Sequence, residues 1–489
     1  MVLVRGISEH DLGIYSLLYS IIPVIGTLAS LGLDQVLRRY QPEYLQAGNL
    51  DAAAWLFRRV VRLRFLVNVA AIGLIVLCWQ LVAPLFHLEA HLRDFELFSV
   101  VVMLYFQTLL LQSSLASHML QKFSVGSIAV FSLSKLVGYS VIIRYFEFSL
   151  PAAILADTIA YILSYVLLAA AYLHYCSANG ADRAYQPDPA ERRRLFRYSV
   201  ASHFNEASSL LLYTQTDNFF IAALMNPLAV GAYSFFSRIN EMAVNLIPTR
   251  LFENVVQPVI YATPRDQAAE RLHRYFTFLV NISMIAQWPI IMISLVYHRE
   301  IIELAFGGKF LEYSLLMPIV LAFAWSDNVP SLPVTMLALH EENAALILKS
   351  QLFGIYQIVA MLVLIPLLGL YGAAIATGTL HLFRNLWVWW KMRHTARWLN
   401  FRAAVRYGLM IWGGAALLCF MLKALVPVPA VGQIALAVPV GGVAMLLFLR
   451  SGAIAQSDRE ILANLMHGRE SALLRRLGLA PGVAPTQVV

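Results

Sequence analysis

Residues 12–33 read LGIYSLLYSIIPVIGTLASLGL, a run without a single charge. At 1.5 Å of rise per helical residue it is about 33 Å long, enough to cross the roughly 30 Å hydrocarbon core of a bilayer. Asp11 precedes it, and Asp34, Arg38 and Arg39 follow. Twelve more runs of this kind are expected as membrane helices. They cover residues 65–84, 95–117, 124–146, 150–173, 198–224, 229–260, 275–297, 313–338, 350–367, 371–390, 405–426 and 430–450. The stretch 229–260 is too long for one straight crossing and carries Pro248 and Pro258, so a kink is expected there. Aromatic and basic residues crowd the ends, as in Trp387, Trp389, Trp390 and Lys391, where interfacial anchors belong.

Composition points the same way. Of 489 residues, 60% are hydrophobic and 13% charged, against about 25% charged in soluble proteins. The mean hydropathy is +0.68. Lipid must be the solvent for most of this surface. A cytosolic enzyme, a nucleic-acid binder and a secreted disulfide scaffold are excluded, and the expected class is an all-α polytopic membrane protein. The three cysteines, Cys78, Cys176 and Cys419, form no CxxC, and neither a zinc site nor any cofactor is expected. Residues 1–11 are too short and too polar for a signal peptide.

The net charge of +8 belongs to one side of the membrane. Assigned to alternate connections, 26 of the 36 Lys and Arg fall on one side, 5 on the other and 5 inside spans. Lys and Arg accumulate in cytoplasmic loops, so the C-terminal tail, 451–489, is expected in the cytoplasm of a cell whose inner membrane holds the protein. Thirteen crossings then put Met1 outside.

An internal repeat bears on that oddity. Gly13-Ile14-Tyr15-Ser16 returns as Gly231-Ala232-Tyr233-Ser234, 218 residues on. Pro151-Ala152-Ala153-Ile154 aligns with Gly372-Ala373-Ala374-Ile375 at 221, and His118 with His340 at 222. Three matches near one offset indicate two parallel halves related by an axis along the membrane normal. The expected lobes are 1–173 (five spans) and 198–390 (six spans), joined by a cytoplasmic linker, 174–197. Residues 391–450 add two helices. By this register the counterpart of span 198–224 would begin about twenty residues before Met1, so the first helix of the repeat is expected to be missing from the chain as written.

Leu12-Gly13-Ile14-Tyr15-Ser16, Leu31-Gly32-Leu33-Asp34 and Arg38-Arg39-Tyr40 together resemble the start of the Wzx-type polysaccharide exporters. These belong to the multidrug/oligosaccharidyl-lipid/polysaccharide exporter superfamily, which includes the MATE transporters. Thr216-Asp217-Asn218-Phe219 and Phe306-Gly307-Gly308-Lys309-Phe310 resemble later parts of the same family. The resemblance implies a MATE-like bundle of two six-helix lobes around a cavity, with two extra helices. It also implies flipping of a lipid-linked (undecaprenyl-pyrophosphate) oligosaccharide, such as a lipopolysaccharide O-antigen precursor, to the outer leaflet. The implied partners are that substrate, membrane lipids and polysaccharide assembly proteins, with no nucleic acid.

Charges within spans are costly and face a cavity or a partner. The candidate substrate-binding cations are Arg38, Arg39, Lys135, Arg238, Arg250 and Arg384. The candidate structural or coupling acids are Asp157, Glu206, Asp217, Glu241 and Asp327. Helix rise places Asp217 and Arg238 at similar depth, about 11 and 14 Å from the outer ends of adjacent spans. Glu206 with Arg250, Lys135 with Asp157, and Asp327 with Arg384 match likewise. Each such pair reads equally well as a register-fixing ion pair. Lys423, near a helix end, is expected to snorkel. A multidrug or cation antiporter would want an acid-rich cavity, whereas these candidates are mixed. A polysaccharide polymerase would want a large soluble loop, and the longest outer loop expected is 298–312. No catalytic residue is therefore assigned.

The charge asymmetry makes a topological prediction. Cysteines placed at Ala184 and Thr395 resist a membrane-impermeant thiol reagent in intact cells, while one at Gly308 reacts. The reverse labelling pattern inverts the assignment.

Overall fold

The computed structural model describes residues 2–179, 185–210, 214–245, 265–328, 352–391, 402–426 and 429–451. Every regular element among them is a helix. All thirteen expected segments overlap one. Among the described residues seven helices are long and apolar enough to cross a membrane. Their outer faces carry bare aliphatic side chains: Leu66, Leu74, Leu133 and Val438 are 62%, 63%, 62% and 70% exposed. That surface suits hydrocarbon and not water. The protein is a multi-pass membrane protein.

The chain divides by its contacts into two compact units, Met1–Ser234 with Gln357–Gly369, and Phe235–Tyr356 with Leu370–Val489. The first is built from α1 (Val2–Gly6), α2 (Glu9–Leu28), α3 (Leu33–Gln46), α4 (Leu50–Leu77), α5 (Trp79–Val82), α6 (Leu92–Ser117), α7 (Gln121–Tyr145) and α8 (Leu150–Ala178). It continues with α9 (Pro189–Ser209), α10 (Thr214–Leu224), the start of α11 (Pro227–Asn245) and most of α14 (Phe353–Leu368).

Helix α2 is the spine of this unit, with two thirds of its apolar window buried against 11% for α7. Ser8 caps its first turn, accepting from the Asp11 amide at 3.0 Å, and Glu9 and Asp11 complement the helix dipole there. At the other end Leu31 and Gly32 take left-handed conformations, with φ 48° and 68°, and break the helix. The Ser30 hydroxyl donates to the Thr27 carbonyl, 3.0 Å away. Only glycine fits at position 32, because a Cβ would stand 2.1 Å from the Ser199 carbonyl oxygen on α9. Helix α3 then lies with Val36, Leu37 and Tyr40 buried and Arg38 and Arg39 exposed. Its buried face packs with Phe57 and Val60 of α4 and Leu111 of α6.

Two sequence boundaries need correction. The expected span 65–84 begins inside a longer helix that starts at Leu50, capped by Asn49, and ends at Leu77. Arg64, counted above with the cytoplasmic loop, is therefore inside α4 and 1% exposed. Its guanidinium donates to the Gly26 carbonyl at 2.9 Å and stacks on Phe106 at 4.5 Å. The expected outer loop 298–312 is helical through Phe306 and turns at Gly307 and Gly308, both with positive φ.

The second unit contains the rest of α11, α12 (Arg265–Phe306), α13 (Leu316–Asn328), α15 (Leu370–Lys391), α16 (Arg402–Leu425) and α17 (Ala430–Arg450). Helix α12 breaks at Tyr297 (φ −117°, ψ 20°). There α16 and α17 dock, through Met292, Tyr297, Trp412, Cys419 and Phe448. Lys423 donates to the Val296 carbonyl at 3.0 Å and pairs with Glu300 at 2.6 Å. The break leaves a carbonyl for it to satisfy, and Glu300 lies within reach.

The tightest crossing in the first unit involves the repeated motif. A Cβ on Gly13 would lie 1.8 Å from the Pro227 carbonyl oxygen, and one on Gly231 would lie 2.9 Å from the Gly13 amide nitrogen. The two motif glycines touch backbone to backbone, the close approach that small residues permit between membrane helices. Gly13→Ala is expected to destabilise the protein by about 1–3 kcal/mol, the range for overpacking. Gly73→Ala, where a Cβ meets nothing within 4 Å, is expected to be neutral or slightly stabilising. Thermal unfolding in detergent checks both, and equal melting points would refute the crossing.

Candidate functional site

Asp157 carries the site. It sits on α8 and is fully buried. Charge in such a place needs both a counter-ion and hydrogen bonds, and Asp157 has them. Lys135 of α7 pairs with its Oδ1 at 2.9 Å. Tyr139, also on α7, donates to Oδ1 at 2.7 Å. Tyr15 and Tyr19 of α2 donate to Oδ2 at 2.6 and 2.5 Å. Lys135 donates in turn to the Tyr15 hydroxyl at 3.0 Å. One carboxylate thus ties α2, α7 and α8 together, and its four donors come from residues spaced i, i+4 on α2 and on α7. That spacing puts each pair on one helical face.

A second buried carboxylate lies in the same unit. Asp217 of α10 is 0% exposed. Tyr233 of α11 donates to its Oδ2 at 2.8 Å, and the Gln357 amide of α14 donates to its Oδ1. Next to it, Asn218 donates to Ser20 of α2 at 2.7 Å. Tyr15 and Tyr233 are the tyrosines of the two motif copies, 218 residues apart, and Lys135 and Gln357 are 222 apart. The repeat therefore has a chemical counterpart: equivalent tyrosines and equivalent α7 and α14 positions each serve a buried aspartate. The aspartates themselves are not equivalent, since one comes from α8 and the other from α10.

The remaining candidates are scattered. Glu206 of α9 is half-buried and accepts from Ser30 and Gln35 at 2.7 and 3.0 Å, so it braces the break after α2. Arg38 is exposed. Arg39 is exposed and stacks between Tyr40 and Tyr198, with 5.6 and 4.9 Å to the ring centres. Nearby, Glu191 accepts from Tyr44 and Tyr185. Burial, then Glu191, pushes the Tyr185 phenol up to about 12, so it remains a donor at neutral pH. Arg238 is half-buried and Glu241 exposed, both on the part of α11 in the second unit. Arg384 is half-buried on α15. Arg250 and the side chain of Asp327 lie outside the described residues, so the Glu206–Arg250 and Asp327–Arg384 matches do too.

Sequence reasoning missed the three tyrosines as ligands of Asp157. Tyr15 stands out in the sequence only as part of a motif, and Tyr19 and Tyr139 carry no signal of their own. It also missed Arg64, whose Nε and Nη1 have no hydrogen-bond partner, and Asn68 one turn on, whose amide has none. The i, i+4 spacing of a cation and an amide running into an apolar stretch was the available signal. Among the described residues no three His, Cys, Asp or Glu side chains converge as a metal site requires.

The long apolar helices define a multi-pass membrane protein, and comparison identifies its fold. The chain superposes on an inward-facing MATE multidrug-resistance transporter of the MOP superfamily with a TM-score of 0.64 at 13% identity, covering 81% of this chain and 93% of that one. It matches the lipid II flippase MurJ, in an inward closed conformation, equally well: TM-score 0.64, 11% identity, 90% and 96% covered. An outward-facing MATE transporter scores 0.52 at 12% identity, with 82% and 96% covered. These likenesses establish the fold. The family comes from the sequence: residues 2–315 match the polysaccharide biosynthesis protein family, and the chain belongs to it. No protein of curated function matches the sequence.

The geometry of Asp157 makes a prediction. Lys135→Met leaves a buried carboxylate without its counter-ion and is expected to cost on the order of 3 kcal/mol. The double variant Lys135→Met/Asp157→Asn recovers most of the loss. Unfolding of the single and double variants in detergent measures this, and additive losses would refute the pair.

Proposed function

We propose that this protein flips a lipid-linked saccharide, carried on undecaprenyl pyrophosphate, from the cytoplasmic to the outer leaflet of the inner membrane. The observation that carries the reading is the conjunction just given. The family works in polysaccharide biosynthesis, and the fold is shared with a lipid II flippase over 90% of the chain. A saccharide head cannot cross hydrocarbon unaided, because each hydroxyl would lose its hydrogen bonds. A cavity between two lobes supplies polar partners while the prenyl tail stays in lipid.

The lobes in this proposal are 1–173 and 198–390, with 174–197 as a cytoplasmic linker. Residues 391–450 flank them as extra helices, and 451–489 form a cytoplasmic tail. Arg38 and Arg39, exposed on α3, receive the diphosphate on the cytoplasmic side. Arg238, Arg250 and Arg384 hold it along the way, arginine doing so bidentately. Lys135, Asp157, Glu206 and Asp217 hold helices in register. Glu241, exposed on α11, is an acid of the pathway wall. The lobes rock to expose the site alternately on each side. No bond is made or broken, so the protein acts as a transporter and not as an enzyme. The saccharide class is an O-antigen or related polysaccharide unit, and the products pass to polysaccharide assembly proteins.

A multidrug or cation antiporter has less support here, because Asp157, a fully buried carboxylate, is already paired with a lysine and hydrogen-bonded by three tyrosines.

The test is reconstitution in liposomes with a fluorescent prenyl-diphosphate oligosaccharide. Its appearance in the outer leaflet is read with a membrane-impermeant quencher. The parent protein accelerates transfer. Arg384→Gln slows it by about tenfold, the scale of one charge-assisted hydrogen bond, at unchanged protein level. Transfer of ethidium in place of the saccharide would overturn the reading.

A further inference from the structure

The Lys135 ammonium stands 5.3, 5.5 and 5.4 Å from the ring centres of Tyr19, Phe131 and Tyr139, and Tyr15 meets it with its hydroxyl at 3.0 Å. A cation within about 6 Å of an aromatic face is attracted by the ring quadrupole. Several rings around one cation, backed by a carboxylate, is how proteins recognise quaternary ammonium groups. Here Asp157 supplies the carboxylate, 2.9 Å from Nζ, and the protein supplies the cation itself.

The cage is held from outside the lysine. The hydroxyls of Tyr15, Tyr19 and Tyr139 are anchored on Asp157. Behind the rings stand others: Phe98 lies 5.0 Å from Tyr19, Tyr161 lies 4.4 Å from Phe131, and Phe148 lies 5.7 Å from Tyr139. Ring positions therefore rest on Asp157 and on a second aromatic layer. The site is not sealed, since the Lys135 side chain is 23% exposed. A lysine ammonium is a compact charge on a flexible four-carbon stem, the shape of a ligand on a tether.

We infer that Lys135 is a built-in occupant of an organic-cation cage and that it keeps cationic solutes out of the first unit. The ligand class of the cage without its lysine is a small quaternary ammonium. Removing the side chain beyond Cβ frees the volume of a propylammonium ion and changes the formal charge of the cage from zero to minus one. The cage stands on the geometry above. Its meaning as a specificity device, separating a saccharide flippase from a cation exporter of the same fold, rests on the function proposed above.

The test uses the purified full chain in detergent, with tetramethylammonium chloride as probe and sodium chloride at equal ionic strength as control. Thermal unfolding is followed against probe concentration. Lys135→Ala is expected to be stabilised by tetramethylammonium with at least tenfold higher affinity than the parent, and Lys135→Ala/Asp157→Asn to lose that gain. A folded Lys135→Ala that responds no more than to sodium, or a parent that responds equally, overturns the inference. If Lys135→Ala is too unstable to purify, n-propylammonium present during extraction is expected to restore folded protein, and failure to do so also overturns it. Binding is read without saccharide or transport. A failed cage therefore leaves the flippase reading intact, and a failed flippase assay leaves the cage intact.

Discussion

A carboxylate removed from water constrains the N-terminal half of this protein. Taking an ion into a low-dielectric interior costs several kcal/mol even after relaxation, unless a counter-ion and hydrogen bonds replace the lost solvent. Asp157 meets that cost with one lysine and three tyrosines drawn from two other helices. Without α2 the carboxylate loses Tyr15 and Tyr19. Without α7 it loses Tyr139 and its counter-ion. The apolar faces of these helices cannot select a partner by hydrophobicity, because lipid is as apolar as leucine. Directed polar bonds can, and they set the register of α2, α7 and α8.

Helix α2 shows how a membrane helix accommodates a break. Its ladder stops at Leu31 and Gly32, and the freed backbone groups need partners where water is scarce. Side chains supply them. Ser30 donates to the Thr27 carbonyl, Ser199 of α9 to the Leu31 carbonyl and Arg64 of α4 to the Gly26 carbonyl. Arg64 also lies 3.7 Å from Asp34, in the first turn of α3. A cation thus faces the negative end of one helix and an anion the positive start of the next, the favourable sense for both dipoles.

How far the sequence discloses this depends on which force is at work. Hydrophobic runs announce membrane helices because the bilayer imposes a length, and each expected run overlaps a helix. Their ends were less legible. Nothing in the apolar pattern distinguishes a helix beginning at Phe65 from one beginning at Leu50, because the intervening residues, though charged, are good helix formers. Rough depth matching put Lys135 beside Asp157, since two opposite charges in lipid must find a partner. The tyrosines escaped notice because a phenol is apolar by most of its area and polar only at its tip, and the carboxylate that Tyr15 and Tyr19 bond lies 142 and 138 residues away, although Tyr139 reaches it over 18. The pairing of Asp217 with Tyr233 and Gln357 was hidden for the same reason.

The repeat supplies the last step. Gly13 and Gly231 occupy equivalent positions, and they meet each other at one end of α2. Further along, α2 and α3 face α9 and α10 through polar contacts: Ser20 with Asn218, Ser30 and Gln35 with Glu206, and Glu43 with Arg194. The two stretches of this seam differ in how readily they part. The neutral Asn218–Ser20 hydrogen bond exchanged for water loses only about 0.5–1.5 kcal/mol net, those to the Glu206 carboxylate about 1.5–3 kcal/mol, and the exposed Arg194–Glu43 pair less than either. Backbone packing at the glycines has no such substitute, since water or lipid entering there leaves both surfaces poorly filled. The glycine crossing is therefore the part of this seam held by shape, and the polar stretch, beside the break in α2, is the part held by directed bonds.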